Sequence, residues 1–141
     1  MQITTLEIKE WHFHVYFYQN NKKSINEAYK LRNKLIKLIN ENYFKLVPLE
    51  RVNHHPIGPH IIGSYEVWVP KEYFWKAFSW FTLNRNDLSI LIHPLTSEEK
   101  KDHDERSVWM GKQLPLDLDM LKDKDEKIKS QYPDLNLGYN N

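Results

Sequence analysis

The stretch Trp11-His12-Phe13-His14-Val15-Tyr16-Phe17-Tyr18 carries the clearest structural pattern in the chain. Its apolar residues alternate with polar aromatic ones, and a period of two is typical of a β-strand with one face on a core. The opposite face carries His12, His14 and Tyr16. This set is unusual for a surface that only meets water, so we expect that face to bear a site.

Around this strand, the chain predicts three more strands and two amphipathic helices. The strands cover residues 44–47, 64–69 and 88–92, one helix covers 25–40, and the second begins near Pro70. Ser24 with Glu27 three residues later is typical of a capping box at the start of the first helix. The order β-α-β-β-α-β predicts an α+β, ferredoxin-like fold, with an antiparallel sheet of strand order 4-1-3-2 and both helices on one face.

Length and composition indicate a single globular domain. The chain has 141 residues, of which 40% are hydrophobic and 28% charged. We expect a ferredoxin-like domain over residues 1–121 and a charged C-terminal tail over 122–141. A net charge of +1 gives no basic surface for nucleic acid. The chain has no cysteine, which excludes disulfides, thiolate metal sites and a cysteine nucleophile.

No targeting or membrane segment is predicted. Residues Met1 to Glu10 lack the apolar run of a signal peptide. No segment approaches the roughly 20 apolar residues that a membrane span requires. We therefore expect a soluble, cytoplasmic protein without a membrane partner.

The predicted topology brings distant polar residues together. In a 4-1-3-2 sheet the start of the first strand lies beside the end of the fourth, so His12 and His14 should lie near His93. Glu66 points to the same face. Imidazoles with a carboxylate suit non-haem Fe(II), whereas three histidines would also suit zinc. The sequence therefore predicts a metal site of His12, His14, His93 and Glu66, although a lone histidine in a strand is more often structural.

The same face predicts an assembly and a type of ligand. Tyr16 and Trp68 add aromatic surface beside the histidines. Ferredoxin-like sheets with such a face commonly pair through it, closing a barrel between two copies, and interfaces rich in Trp and Tyr are chemically reasonable. We expect a homodimer, the dimeric α+β barrel, in which Tyr16 and Trp68 contact a planar aromatic substrate.

Several short motifs, in order, resemble the DOPA 4,5-dioxygenase family. They are Trp11 to Phe17, Gly58-Pro59-His60 followed by Ser64-Tyr65-Glu66-Val67, Leu88 to Pro94 with Thr96, and Asp102-His103 with Glu105-Arg106 and Trp109-Met110-Gly111. They span roughly residues 10 to 118, most of the chain. Leu95-Thr96-Ser97 and Ile61-Ile62 depart from the family's usual Asn-Thr-Gly and from a usual proline, and these departures bear on substrate identity more than on metal binding.

The resemblance implies extradiol cleavage of DOPA or a related catechol by O2, with Fe(II) as cofactor and zinc possible in the purified protein. The functional histidines of the family's motifs fall on His12, His14, His60, His93 and His103. We expect His12 and His93 as ligands and His14 as third ligand or proton carrier. We expect His60 and His103 either to contact the metal ligands or to contact the substrate. Arg106 is expected to pair with a substrate carboxylate.

Two alternatives belong to other functional classes. One is a metal- or small-molecule-binding dimer without enzymatic activity. The other is a cofactor-independent monooxygenase or isomerase on the same barrel, which would use the histidines as acid–base groups. Metal content of the untagged protein and ring cleavage of simple catechols separate these from a dioxygenase.

Overall fold

The fold is a five-stranded antiparallel sheet with its two long helices on one face, seen in a computed structural model that describes residues 3–124 and 129–139. The elements are β1 (Glu10–Phe17), α1 (Lys22–Asn40), β2 (Val47–Pro48), β3 (Gly63–Pro70), α2 (Phe74–Asn84), β4 (Ile90–Pro94), α3 (Glu99–His103) and β5 (Val108–Met110). The strand order is β2-β3-β1-β4-β5. The predicted α+β class and 4-1-3-2 order are confirmed. The added strand β5 is too short for an alternating pattern to predict it.

The main core lies between the sheet and the two long helices. Phe13, Val15 and Phe17 of β1 are fully buried there, as the alternation predicts. They pack with Ala28, Leu31 and Leu35 of α1 and with Ala77 and Phe81 of α2. Both helices therefore cover one face of the sheet and leave the histidine-bearing face to other parts of the chain. Among the described residues, no helix is long and apolar enough to cross a bilayer.

Helix α1 begins earlier than the capping box predicts. The cap is Asn21, whose side-chain oxygen accepts a hydrogen bond from the Ser24 N–H at 2.9 Å. The Ser24 hydroxyl instead accepts from the Tyr18 N–H at 2.8 Å. The prediction of Ser24 as cap was wrong because asparagine satisfies the first turn equally well.

Two strand predictions also shift. β4 covers Ile90–Pro94 rather than 88–92, because its hydrogen-bonded partner β1 continues the pairing as far as Trp11 opposite Pro94. β2 is only Val47–Pro48, and Pro48 has no N–H to extend the ladder. The preceding Phe44 and Leu46 are buried in the core without belonging to a strand.

The second face of the sheet is covered by the chain itself. Trp68 and Tyr16 are 0% and 2% exposed. Tyr132 from the C-terminal part packs on Trp68 with ring centroids 5.0 Å apart, and Leu114 packs in the cluster that contains Tyr16. The exposed aromatic patch on which the homodimer prediction depended is therefore buried within one chain. The homodimer stays a prediction.

Gly63 is required where β3 meets β1. A Cβ at this position would lie 2.5 Å from Cε2 of the buried Phe17 ring. Gly63→Ala must therefore displace that ring, and we expect a loss of about 1–3 kcal/mol in the free energy of unfolding, measured by urea titration. The double variant Gly63→Ala/Phe17→Leu should lose less than the sum of its single changes, since leucine leaves room for the methyl group. Strictly additive losses would contradict this packing explanation.

Candidate metal centre

Five of the seven histidines line one cavity of about 470 Å³ on the second face of the sheet. They come from separate parts of the chain: His12 and His14 from β1, His93 from β4, His60 from the loop before β3, and His103 from the end of α3. The sheet register explains the centre of the group, because His12 lies directly opposite His93. The topology thus brings together residues about 80 positions apart in sequence.

Three of these histidines are placed to hold a metal ion. His12, His14 and His93 each offer a nitrogen atom, and the three atoms lie within 4.8 Å of one another. The Nε2 atoms of His14 and His93 are 3.0 Å apart. Three imidazoles without a thiolate form a donor set that suits Fe(II) or Zn(II).

Hydrogen bonds orient the rings of His93 and His103 and leave one nitrogen of each ring with a free lone pair. The Nδ1–H of His93 donates to the Pro94 carbonyl at 2.9 Å, and the Nδ1–H of His103 donates to the Glu99 carbonyl at 2.8 Å. A carbonyl only accepts, so Nδ1 carries the proton, and Nε2 of each neutral ring keeps its lone pair. Metal-binding histidines commonly make this kind of contact through the nitrogen that does not bind the metal.

The cluster favours neutral imidazoles. Burial, followed by the charges of neighbouring histidines, lowers the pKa of His14 and His93 well below 6.5. The same two causes lower the pKa of His60 to about 4. Burial also lowers the pKa of His103, although its bond to the Glu99 carbonyl opposes the shift. Neutral imidazole is the form that binds metal ions, so the cluster is ready to bind at neutral pH.

Glu66 lies beside the three-histidine group and contacts one member of it. Its Oε1 is 3.3 Å from Nδ1 of His12. The Nε2 of His12 is 2.7 Å from the side-chain oxygen of Gln131, a residue that the sequence did not single out. Gln131 gave no signal because it lies in a polar segment without a motif.

Tyr16 supports the cluster from the sheet. Its hydroxyl and Nδ1 of His60 share a hydrogen bond at 2.6 Å. Burial raises the pKa of Tyr16, so the phenol stays protonated. The residue predicted to touch substrate is 2% exposed and instead orients His60, whose ring lies 4.4 Å from that of His14 between centroids.

Trp68 and Arg106, also predicted to bind substrate, do not line this cavity. The Trp68 indole is fully buried and donates to Oε1 of Glu10 at 3.0 Å. The Arg106 guanidinium donates to Asp102 at 3.0 Å and to Glu98 at 2.8 Å. Two carboxylates therefore already occupy Arg106, and its position gives no support to a contact with substrate.

In the Asp102-His103 motif, the first residue has a structural role. The buried Asp102 carboxylate accepts from the Thr96 N–H at 2.7 Å, from the Thr96 hydroxyl and from Arg106. These bonds tie the short helix α3 to the segment after β4. His103 is thereby held with its ring centroid 3.8 Å from that of His93.

Comparisons with known proteins agree with the motifs. The sequence profile of the Dopa 4,5-dioxygenase family matches residues 11–120. The chain is 52% identical over 133 residues to a DOPA 4,5-dioxygenase of Amanita muscaria, covering 94% of this chain and 58% of that protein. It is 36% identical over 118 residues to an uncharacterized 21.2 kDa protein of Botryotinia fuckeliana, covering 77% of this chain and 61% of that protein. The chain thus spans about three-fifths of the length of these curated relatives.

A solved structure has the same fold. It is the crystal structure of "a putative dioxygenase" from Nostoc punctiforme, which is 34% identical and superimposes with a TM-score of 0.73. The match covers 84% of this chain and 96% of that one. With the profile matching most of the chain and the fold in agreement, this chain belongs to the Dopa 4,5-dioxygenase family.

Proposed function

We propose that this protein is an extradiol dioxygenase that opens the ring of DOPA or a related catechol with non-haem Fe(II). The observation that carries the proposal is the convergence of His12, His14 and His93, whose nitrogen atoms lie within 4.8 Å inside a cavity. Family membership supports the reaction class. Bound Fe(II) would supply a Lewis acid for the catechol oxygens and the redox chemistry that O2 requires.

The remaining histidines are suited to move protons. His103 presents a lone pair at Nε2, because its Nδ1–H is bonded to the Glu99 carbonyl. That nitrogen can accept the proton which a catechol releases on binding. Once protonated, His103 can return that proton to the opened product. His60 is held by Tyr16 and faces the same cavity, where it is a second base for a catechol proton. A depressed pKa keeps both rings neutral, and therefore able to act as bases, at pH 7.

The cavity also suits a small planar ring. Pro59, Leu95 and Leu121 contribute apolar wall beside the histidines. A volume of about 470 Å³ is within the range of small-molecule sites. Lys122 lines the same cavity and offers the cation for a substrate carboxylate that Arg106, already paired, does not.

The test is reconstitution of untagged protein with Fe(II) under anaerobic conditions, followed by a catechol panel under air. We expect about one iron per chain, and one O2 consumed per catechol. Both oxygen atoms should appear in the product, one C–C bond beside the diol should break, and no external reductant should be needed. The extradiol product is recognised by its mass and its visible absorbance.

Three other outcomes would redirect the proposal. Tight metal binding with no ring cleavage across the panel would favour a metal-binding protein. Turnover that persists after chelation would favour a cofactor-independent enzyme using the histidines as acid–base groups. Cleavage between the two hydroxyl groups would keep a dioxygenase and overturn the extradiol assignment.

A further inference from the structure

The C-terminal segment 129–139 lies outside the residues that the family profile matches and yet reaches the candidate metal centre. The side-chain oxygen of Gln131 is 2.7 Å from Nε2 of His12. The side-chain nitrogen of Gln131 donates to Oε2 of Glu66 at 3.4 Å. One amide therefore contacts two of the predicted ligands, His12 and Glu66.

A buried carboxylate anchors this segment. Glu10 is 1% exposed, and its Oε1 accepts from the Gln131 backbone N–H at 2.8 Å and from the Trp68 indole at 3.0 Å. Its Oε2 accepts from the Tyr139 hydroxyl at 3.0 Å. A buried carboxylate is stable only with such donors, and here the C-terminal segment supplies three, the third being the Ser130 hydroxyl at 3.4 Å. The Gln131 backbone is thus held at a defined place rather than resting loosely on the surface.

A close approach farther along the segment supports the same docking. Gly138 has a φ of +87°, and a Cβ there would lie 2.8 Å from the Lys9 carbonyl oxygen. Its N–H donates to the Glu72 carboxylate at 2.8 Å. Only glycine fits this contact without strain. The segment is therefore fixed to the edge of the domain on both sides of Tyr132, which packs on Trp68.

The orientation of the Gln131 amide follows from its two partners. Glu66 is a carboxylate and accepts hydrogen bonds only, so the amide nitrogen must face it. The amide oxygen then faces His12, and this oxygen accepts only. The Nε2 of His12 must therefore carry a proton. Nδ1 lies 3.3 Å from Oε1 of Glu66, which makes an ion pair when Nδ1 is protonated as well. In the neutral ring, the form that binds a metal ion, the lone pair is on Nδ1.

We propose that Gln131 is a positioning residue that fixes the Nε2–H tautomer of His12, so that Nδ1, beside Glu66, is the nitrogen available to the metal. This differs from His93, which keeps its Nε2 for that purpose because Nδ1–H is bonded to the Pro94 carbonyl. The metal part of the inference rests on the proposed function. The tautomer part does not, because it depends only on hydrogen bonds within the chain.

The experiment is nitrogen-15 NMR of the histidine rings, with the full chain first metal-free and then loaded with Zn(II). His12 is assigned by its loss in His12→Gln. In the metal-free wild type we expect His12 to show the Nε2–H pattern, and in the zinc form we expect its Nδ1 to be the metal-bound nitrogen. Gln131→Met keeps the side-chain length but removes the acceptor. It should give mixed tautomers and weaken zinc binding 10- to 100-fold by calorimetry.

Two matched variants make the result specific. Gln131→Glu retains an oxygen acceptor for His12 but loses the donor to Glu66. Nε2 of His12 should therefore keep its proton, and zinc affinity should stay above that of Gln131→Met. Asp134→Ala changes an exposed residue of the same segment and should leave both readouts as in the wild type. Thermal unfolding of Gln131→Met checks that the fold persists, as expected for an exposed side chain.

The outcomes separate the two proposals. A metal-free wild type with the proton of His12 on Nδ1, or Gln131→Met with unchanged tautomer and zinc affinity, would overturn the role of Gln131. Zinc bound through Nε2 of His12 would overturn the assignment of the binding nitrogen. A wild type with the expected tautomer that binds no metal and cleaves no catechol would instead remove the proposed function and leave the role of Gln131 in orienting His12.

Discussion

Replacing His93 by alanine is expected to weaken metal binding by more than about 100-fold and to abolish ring cleavage. His93 is buried, lies directly opposite His12 in the sheet, and has its Nε2 3.0 Å from that of His14. Its removal leaves two imidazoles of the group of three, too few to hold Fe(II) or Zn(II) firmly. Calorimetric titration with Zn(II), and O2 uptake with a catechol after Fe(II) reconstitution, measure the two losses.

His55→Ala provides the matched control. His55 is an exposed loop residue and should affect neither metal affinity nor turnover. His93→Ala should remain folded by circular dichroism, because His93 faces away from the core between the sheet and the long helices. Metal affinity within a few-fold of wild type in a folded His93→Ala protein would disprove the three-histidine site.

Acidification from pH 8 to pH 5 is expected to cost the metal-free protein at least about 2 kcal/mol of its free energy of unfolding. The pKa of His60 is about 4 in the folded chain, against 6.5 as the ordinary value. The unfolded chain therefore binds more protons below pH 6.5. The stability of the folded state is fully present above pH 6.5 and is lost as the pH falls towards 4. The depressed pKa values of His14, His93 and His103 add to the loss.

Urea unfolding at several pH values measures this slope. His60→Gln should reduce the slope between pH 6.5 and pH 5, because it removes one group that the folded state keeps neutral. Exposed carboxylates contribute little in this window, since they titrate mainly below it. A flat stability profile between pH 8 and pH 5 would contradict a neutral, buried histidine cluster.

The placement of His12, His14 and His93 was predictable from two features of the sequence. One is the alternation of side chains along a strand, and the other is the order of helices and strands. Alternation along residues 11–18 places His12 and His14 on one face. The helix–strand order then places β4 beside β1, so that His93 meets them. Antiparallel neighbours leave little freedom in this arrangement. The family resemblance added His60 and His103, whose loop and short helix have no periodic pattern that would place them.

The hydrogen-bond partners of the predicted site residues were less predictable than their positions in the fold. Arg106 and Trp68 have the chemistry of substrate-binding residues, but Asp102, Glu98 and Glu10 engage them instead. Which charged groups meet depends on how irregular segments fold back onto the sheet. Residues 95–121 and 129–139 have no period that encodes such a path.

The amino-acid sequence by itself determined the sheet order, the helix-covered face and the pairing of His12 with His93, because these follow from hydrophobic alternation and the constraints on connecting antiparallel strands. Only the tertiary structure decided what covers the opposite face. There, the aromatic residues expected at a dimer interface are buried by the chain's own later segments. Residues on this face also have hydrogen-bond partners that are distant in sequence: Glu10 for Trp68 and Gln131 for His12. Each of these contacts is made by a single side chain, and no local sequence pattern specifies it.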